Sequence, residues 1–150
     1  KKGPLNNPAD RDHCIQYMSA IGLIKGNLTA ADYEDEVARD PRVDQLRDKM
    51  VCVEKKAWSR DYLDPKKRSI ANAIQVFFKD GSKTTDVVVE YPVGHRRRRN
   101  EGVPLLEAKF RTNLARRFPE KQRAAIYALC ANQSILEATP VHEFMDLCAI

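Results

Sequence analysis

The chain has 150 residues, 43% of them hydrophobic and 31% charged, with a formal net charge of +5. That apolar content supports a real core and excludes intrinsic disorder, and no run approaches the ~18 apolar residues that a membrane-spanning helix needs. The opening Lys1-Lys2-Gly3-Pro4 has no apolar run behind it, so it does not read as a secretory signal, and a chain that opens this way is expected to be a piece of a longer one.

Asn7 before Pro8 predicts a helix start, because proline's missing N–H would find no partner at the first helical position anyway. Cys14, Ile15, Met18 and Ile21 recur at helical spacing as far as Gly26-Asn27, which predicts one helix with those four on its apolar face. Thr29-Ala30-Ala31-Asp32 has the form of a capping box, with Asp in place of Glu, and opens a short acidic helix to about Ala38. Asp40-Pro41 starts another, with Val43, Leu46 and Met50 on its buried side.

The period then changes. Met50 to Val53 is short and β-prone, and residues 57–68 are polar and loop-like around Asp64-Pro65. Residues 71–79 read as a strand, Asp80-Gly81 as a hairpin turn, and residues 84–90 as the returning strand around Val87-Val88-Val89. A hairpin alone is marginal, so this sheet of two or three strands is expected to pack on helices. Helical spacing resumes with Leu106, Phe110, Leu114 and Phe118 on one stripe, then with a helix from Pro119 that buries Ile126, Leu129 and Cys130. Thr139-Pro140 starts a last helix carrying Val141, Phe144, Leu147 and Cys148. The order predicts an α+β fold, with helices flanking a small antiparallel sheet and a hairpin at Asp80-Gly81. Its segments are a helical 1–49, a sheet region 50–94 and C-terminal helices 95–150.

Cys14, Cys52, Cys130 and Cys148 are far apart, without Cys-x-x-Cys or a histidine at zinc-ligand spacing, so thiols in a reducing compartment are expected and no metal site. Charge is uneven: ten basic residues lie between Arg96 and Arg123 against Glu101, Glu107 and Glu120. Two constellations carry chemistry. Asp10, His13 and Tyr17 fall at i, i+3 and i+7, a row of proton-transfer groups on the shoulder of the first helix; ordinary boundary residues would give the same row. Gly94-His95-Arg96-Arg97-Arg98-Arg99 follows the second strand, where arginines suit carboxylates or phosphates, or simply form a solvated loop.

Several longer stretches carry a resemblance. Residues 3–17, Gly-Pro-Leu-Asn-Asn-Pro-Ala-Asp-Arg-Asp-His-Cys-Ile-Gln-Tyr, and residues 28–35, Leu-Thr-Ala-Ala-Asp-Tyr-Glu-Asp, are the first. Residues 64–72, Asp-Pro-Lys-Lys-Arg-Ser-Ile-Ala-Asn, 88–95, Val-Val-Glu-Tyr-Pro-Val-Gly-His, 113–116, Asn-Leu-Ala-Arg, and the closing run 140–150 complete them. Together they resemble the methylcitrate-dehydrating branch of the MmgE/PrpD family over nearly the whole chain, at the C-terminal end of a much longer enzyme.

The resemblance implies a hydro-lyase (a dehydratase) of propionate catabolism by the methylcitrate cycle, which removes water from 2-methylcitrate to give 2-methyl-cis-aconitate without a cofactor. It implies Tyr17 as the catalytic residue of this portion and His13, His95 and Arg97 as substrate-binding candidates. It further implies a tricarboxylate substrate (2-methylcitrate, with citrate and cis-aconitate as relatives), a missing N-terminal helical domain of the same enzyme, a homodimer, and a cytoplasmic location, or the mitochondrial matrix in a eukaryote. No nucleic acid or membrane partner is implied. The family's remaining catalytic groups have no counterpart here, so the chain alone is expected to be inactive. In the longer enzyme the helices beside the sheet are expected to pack on the missing domain, leaving apolar surface exposed here. Two other readings stand beside this one: a basic anion- or nucleic-acid-binding module using residues 95–123, and a segment that only completes the fold of the longer enzyme.

Overall fold

The computed structural model describes residues 3–149, in two compact units that meet in sequence between Lys55 and Lys56. The segments read as a sheet region and as C-terminal helices fall, from residue 56 onward, in one unit.

In the first unit, α1 (Pro8–Asp12) begins as its sequence predicts, with the Asp10 N–H donating to Asn7 Oδ1 at 2.9 Å. It then stops. Cys14 is extended at φ −113°, ψ 102°, and α2 (Ile15–Lys25) starts afresh, so the single predicted helix is two. The physical reason is the burial of both Arg11 and Ala20. Nine residues at roughly 100° each would put them on opposite sides of a straight helix, so the axis must turn between them. Arg11, 4% exposed, donates to the Tyr33 carbonyl at 2.5 Å and the Leu5 carbonyl at 3.4 Å, and pairs with Asp35 at 2.7 Å.

The turn also moves the apolar face. Tyr17, Ala20 and Ile21 join Cys14 and Val43 in the core, while Ile15 is 45% exposed and Met18 only half-buried. Gly26 ends α2 at φ +76°, a left-handed conformation that glycine adopts without a Cβ clash.

The Asp32 carboxylate caps as expected, accepting from the Thr29 N–H at 2.7 Å and Thr29 Oγ1 at 2.8 Å. It opens a 3-10 turn, Ala30–Tyr33, and a separate α3 (Asp35–Ala38) rather than one helix. α4 (Pro41–Arg47) starts where Asp40 accepts from the Arg42 N–H at 3.0 Å, and it packs on α2 through Val43. Val51 and Val53 are almost fully exposed and form no strand, so the third strand is absent among the described residues.

In the second unit, α5 (Lys56–Leu63) replaces the loop expected over 57–68. That stretch holds no glycine or proline until Asp64-Pro65, and the residue before a proline is pushed out of the helical region. β1 (Asn72–Ile74) and β2 (Val87–Val89) are antiparallel, with Ala73 opposite Val88. The turn at Asp80-Gly81 forms, with Gly81 at φ +85° and the Phe78 N–H donating to the Ser82 carbonyl at 2.8 Å.

Phe77 faces Lys83, so residues 75–76 oppose residues 84–86 and the returning arm carries one residue too many. This bulge is why the long predicted strands shorten to three residues each. The three β2 valines stay exposed rather than packed beneath helices.

After a 3-10 turn at Arg96–Arg98 come α6 (Arg99–Ala115), α7 (Glu120–Cys130), α8 (Gln133–Ala138) and α9 (Val141–Leu147). α7 packs on the other three and buries Ile126, with Leu129 and Cys130 half-buried. On α6 the four-residue stripe is only partly inward. Leu114 is buried and Phe110 half-buried, while Leu106 is 54% exposed, because a four-residue step drifts round a helix of roughly 3.6 residues per turn. α8 was not foreseen; Asn132 caps it by accepting from the Ile135 N–H at 3.1 Å.

Two outcomes follow from this packing. A Cβ built on Gly102 would lie 2.3 Å from the Val93 carbonyl oxygen, a backbone atom. Gly102→Ala should therefore destabilise by at least about 1 kcal/mol in urea unfolding, where helix propensity alone predicts a gain of about 1 kcal/mol. An increase in stability would refute the close approach.

Asp32 is buried, and Lys25, bonded at 2.6 Å, together with Thr29 holds its carboxyl below the usual range. Its contribution is thus complete above the ordinary carboxylate value of about 4 and is lost as pH falls through the lower folded value. Urea midpoints at pH 7 and pH 3 should differ less for Asp32→Asn than for the unaltered chain.

Candidate anion-binding cleft

The first unit holds Tyr17 and His13. Tyr17, on the first turn of α2, is 1% exposed, and its hydroxyl donates to the Asp32 carbonyl at 2.6 Å. Burial raises its pKa, and its ring stacks on Tyr33 at 6.2 Å. It is a core residue, not one on the shoulder of a helix.

His13 lies on the far side of the helix break, at the end of α1. It is strongly exposed, and its Nδ1 donates to the Ala9 carbonyl at 3.0 Å and Asp12 Oδ1 at 2.5 Å. The Ala9 carbonyl and then the Asp12 carboxylate raise its pKa. Asp10 turns back to the Asn6 and Asn7 nitrogens, so the proposed Asp10–His13–Tyr17 row does not form.

The second unit contains a cleft of about 460 Å³ lined by Tyr62, Arg68, Ile70, Pro92, Gly94, His95 and Arg96. Two chain segments build it. One is the turn after α5, where the Arg68 N–H donates to the Asp64 carbonyl at 2.8 Å and Arg68 takes a left-handed φ of +49°. A non-glycine residue held there stores strain, a feature concentrated at functional sites. The other is the Tyr91–Arg96 stretch after β2, kept close to α6 by the absent side chain of Gly102.

His95 joins the two segments. Its Nε2 lies 3.2 Å from the Arg68 carbonyl and its Nδ1 lies 3.1 Å from the Arg97 backbone N–H. A carbonyl only accepts and an amide N–H only donates, so in this arrangement Nε2 donates to the Arg68 carbonyl and Nδ1 accepts from the Arg97 N–H. Both nitrogens are committed, and the imidazole acts as a strut across the cleft wall. Its ring centroid lies 4.6 Å from that of Tyr91.

The arginine run divides by role. Arg97 donates to the Lys66 carbonyl at 2.6 Å and lies over the Tyr91 ring at 4.8 Å; it braces the wall from behind and does not line the cleft. Arg98 forks onto Glu101 at 2.6 and 3.2 Å and reaches the Tyr91 carbonyl at 2.9 Å. Arg96 lines the cleft, as does Arg68. These two were missed from sequence. Arg96 was indistinguishable from its neighbours, and Arg68 lay in a stretch read as polar loop; the one usable signal was that both fall in or beside the longer matched stretches.

Nothing favours the nucleic-acid reading of residues 95–123. Phe110 and Tyr127 turn toward each other at 6.2 Å, and Arg111 covers the Tyr127 face at 3.5 Å, so those aromatics are taken. Among the described residues no group of three or more His, Cys, Asp or Glu could hold a metal ion, and no helix is long and apolar enough to cross a membrane.

The model of the MmgE/PrpD C-terminal domain matches residues 1–133. The chain is 63% identical over its full 150 residues to 2-methylcitrate dehydratase of Cupriavidus necator, covering 31% of that protein. It is 59% identical over the same span to 2-methylcitrate dehydratase of Salmonella typhimurium, again covering 31% of it. With the mitochondrial 2-methylcitrate dehydratase of Yarrowia lipolytica it shares 55% identity over 147 residues, 98% of this chain and 28% of the relative. The chain thus spans about a third of the length of these relatives, and across that span it belongs to the MmgE/PrpD family, as an instance of its C-terminal domain.

Proposed function

We propose that this chain is part of a hydro-lyase that removes water from 2-methylcitrate to give 2-methyl-cis-aconitate. The observation that carries this reading is the 63% identity along the whole chain to a protein of that activity by name. The elimination takes a proton from carbon, delivers one to the departing hydroxyl, and needs cations to hold the carboxylates while charge develops. The second unit supplies the last requirement: a concave site with two arginines on its wall and apolar Ile70 and Pro92 beside them. His95 and Arg97 belong to the substrate-binding apparatus as bracing groups, and His13 is the weakest of the candidates because its ring points to solvent.

The remaining two thirds of the relatives' length supplies the base. The partners are then that helical portion of the same enzyme and a second copy in a homodimer; the location is the cytoplasm of a bacterium or the mitochondrial matrix of a eukaryote. The test is absorbance of 2-methyl-cis-aconitate formed from 2-methylcitrate. The chain alone should give none, and the chain joined to the portion that precedes it in the relatives should turn over. Turnover by the chain alone would refute the division of labour, and none from the joined enzyme would refute the activity.

Tyr17 is the residue that the family resemblance carries to proton transfer. Its hydroxyl already donates to the Asp32 carbonyl inside the first unit, so acting on substrate requires exchanging that bond. Tyr17→Phe in the full-length enzyme separates the possibilities. A fall in turnover of about 10²-fold with an unchanged unfolding midpoint assigns the phenol to chemistry. A loss of about 1 kcal/mol in stability with turnover retained assigns it to the core, because the change leaves a buried carbonyl without its donor.

A further inference from the structure

The cleft in the second unit contains a feature that the family resemblance does not assign. Arg68 and Arg96 reach it from segments nearly thirty residues apart in sequence, and His95 fixes those segments to each other through the Arg68 carbonyl. Among the described residues neither guanidinium has a hydrogen bond or an ion pair, whereas the adjacent Arg97 and Arg98 are both committed to backbone carbonyls. The left-handed backbone at Arg68 marks the same spot.

We propose that Arg68 and Arg96 form a carboxylate-binding subsite that takes one arm of a tricarboxylate. This rests on the dehydratase reading and names residues that determine how its substrate is held. Paired guanidinium N–H bonds suit an anion such as a carboxylate or phosphate, and two features favour a carboxylic acid over inorganic phosphate. The same wall presents Ile70, Pro92 and Tyr62, which suit the methylene or methyl carbons between the acid groups. The volume of about 460 Å³ lies within the range of small-molecule sites, roughly 300–1,000 Å³, and leaves space for a branched acid of this size.

The experiment has a binding arm and a kinetic arm. In the first, the 150-residue chain is titrated with citrate, tricarballylate and inorganic phosphate while the His95 ring resonances are followed by NMR. The two tricarboxylates should saturate the site more tightly than phosphate. Arg68→Gln and Arg96→Gln should each weaken them by about tenfold, the loss expected for one charge-assisted contact, with Arg99→Gln as an unaffected control outside the cleft. Circular dichroism checks that each variant folds, and Arg68→Lys serves as a second variant if Arg68→Gln does not. Phosphate binding as tightly as the tricarboxylates, or variants binding like the unaltered chain, overturns the proposal.

In the second arm, the full-length enzyme carrying each variant should show KM raised by about tenfold with kcat little changed, the signature of a contact made equally in ground and transition states. An unaltered full-length enzyme without dehydration, beside a chain that binds tricarboxylates through both arginines, refutes the activity and leaves the subsite standing. Full dehydration with unchanged KM in both variants refutes the subsite and leaves the activity standing.

Discussion

Short helices leave many backbone carbonyls without partners, since the last four of each have no N–H ahead of them within the helix. Among the described residues only α6, with 17 residues, is longer than 11, so turns and helix ends are frequent there. Side-chain donors reach several of these positions. Arg11 serves Tyr33 and Leu5, Arg47 serves Gly3, and Tyr17 serves Asp32. In the second unit His95 serves Arg68, Arg97 serves Lys66, Arg98 serves Tyr91, and Gln122 serves Leu147 and Ala149. An unpaired buried carbonyl costs about as much as a lost hydrogen bond, so the buried contact of Tyr17 with Asp32 fixes where its turn must lie, while the exposed contacts of His95 and Arg97 tie segments distant in sequence together.

This constraint explains why the residues that look most reactive in sequence are occupied. A phenol, an imidazole and a guanidinium are proton-transfer or anion-binding groups in general, yet here Tyr17, His95 and Arg97 each satisfy a backbone oxygen. The consequence for function is a division within one short stretch: Arg97 and Arg98 hold the turn, which leaves Arg96 facing the cleft together with Arg68. Rigid neighbours make two arginines useful, because a binding group whose backbone is already fixed loses less entropy when a ligand arrives.

Much of the fold was legible. Caps at Asn7, Thr29 and Asp40, the glycine stop at Gly26 and the Asp80-Gly81 turn depend on groups a few residues apart, and the structure has all of them. The break at His13-Cys14 was not legible, because its cause is a guanidinium that seeks the carbonyl of Tyr33, twenty-two residues away. The shortening of the strands escaped for a similar reason: a bulge depends on pairing across the hairpin, not on the alternation within either arm. At the cleft, Gly94, His95 and Arg96 form part of the wall, but spacing alone does not say which arginine of the run lines it or that Arg68 joins it.

The sequence by itself determined the family, the α+β class and the starts of α1, α4, α7 and α9, since these rest on residue identities and on interactions within one turn of chain. Tertiary structure decided which polar groups remain available to a ligand. That depends on which backbone oxygens the fold leaves unpaired, and a side chain is free only when no distant carbonyl has taken it. Gly102 illustrates both sides. Its place in a helix reads as a small local penalty, yet contact with the Val93 carbonyl makes its missing side chain a requirement for the wall on which His95 and Arg96 stand.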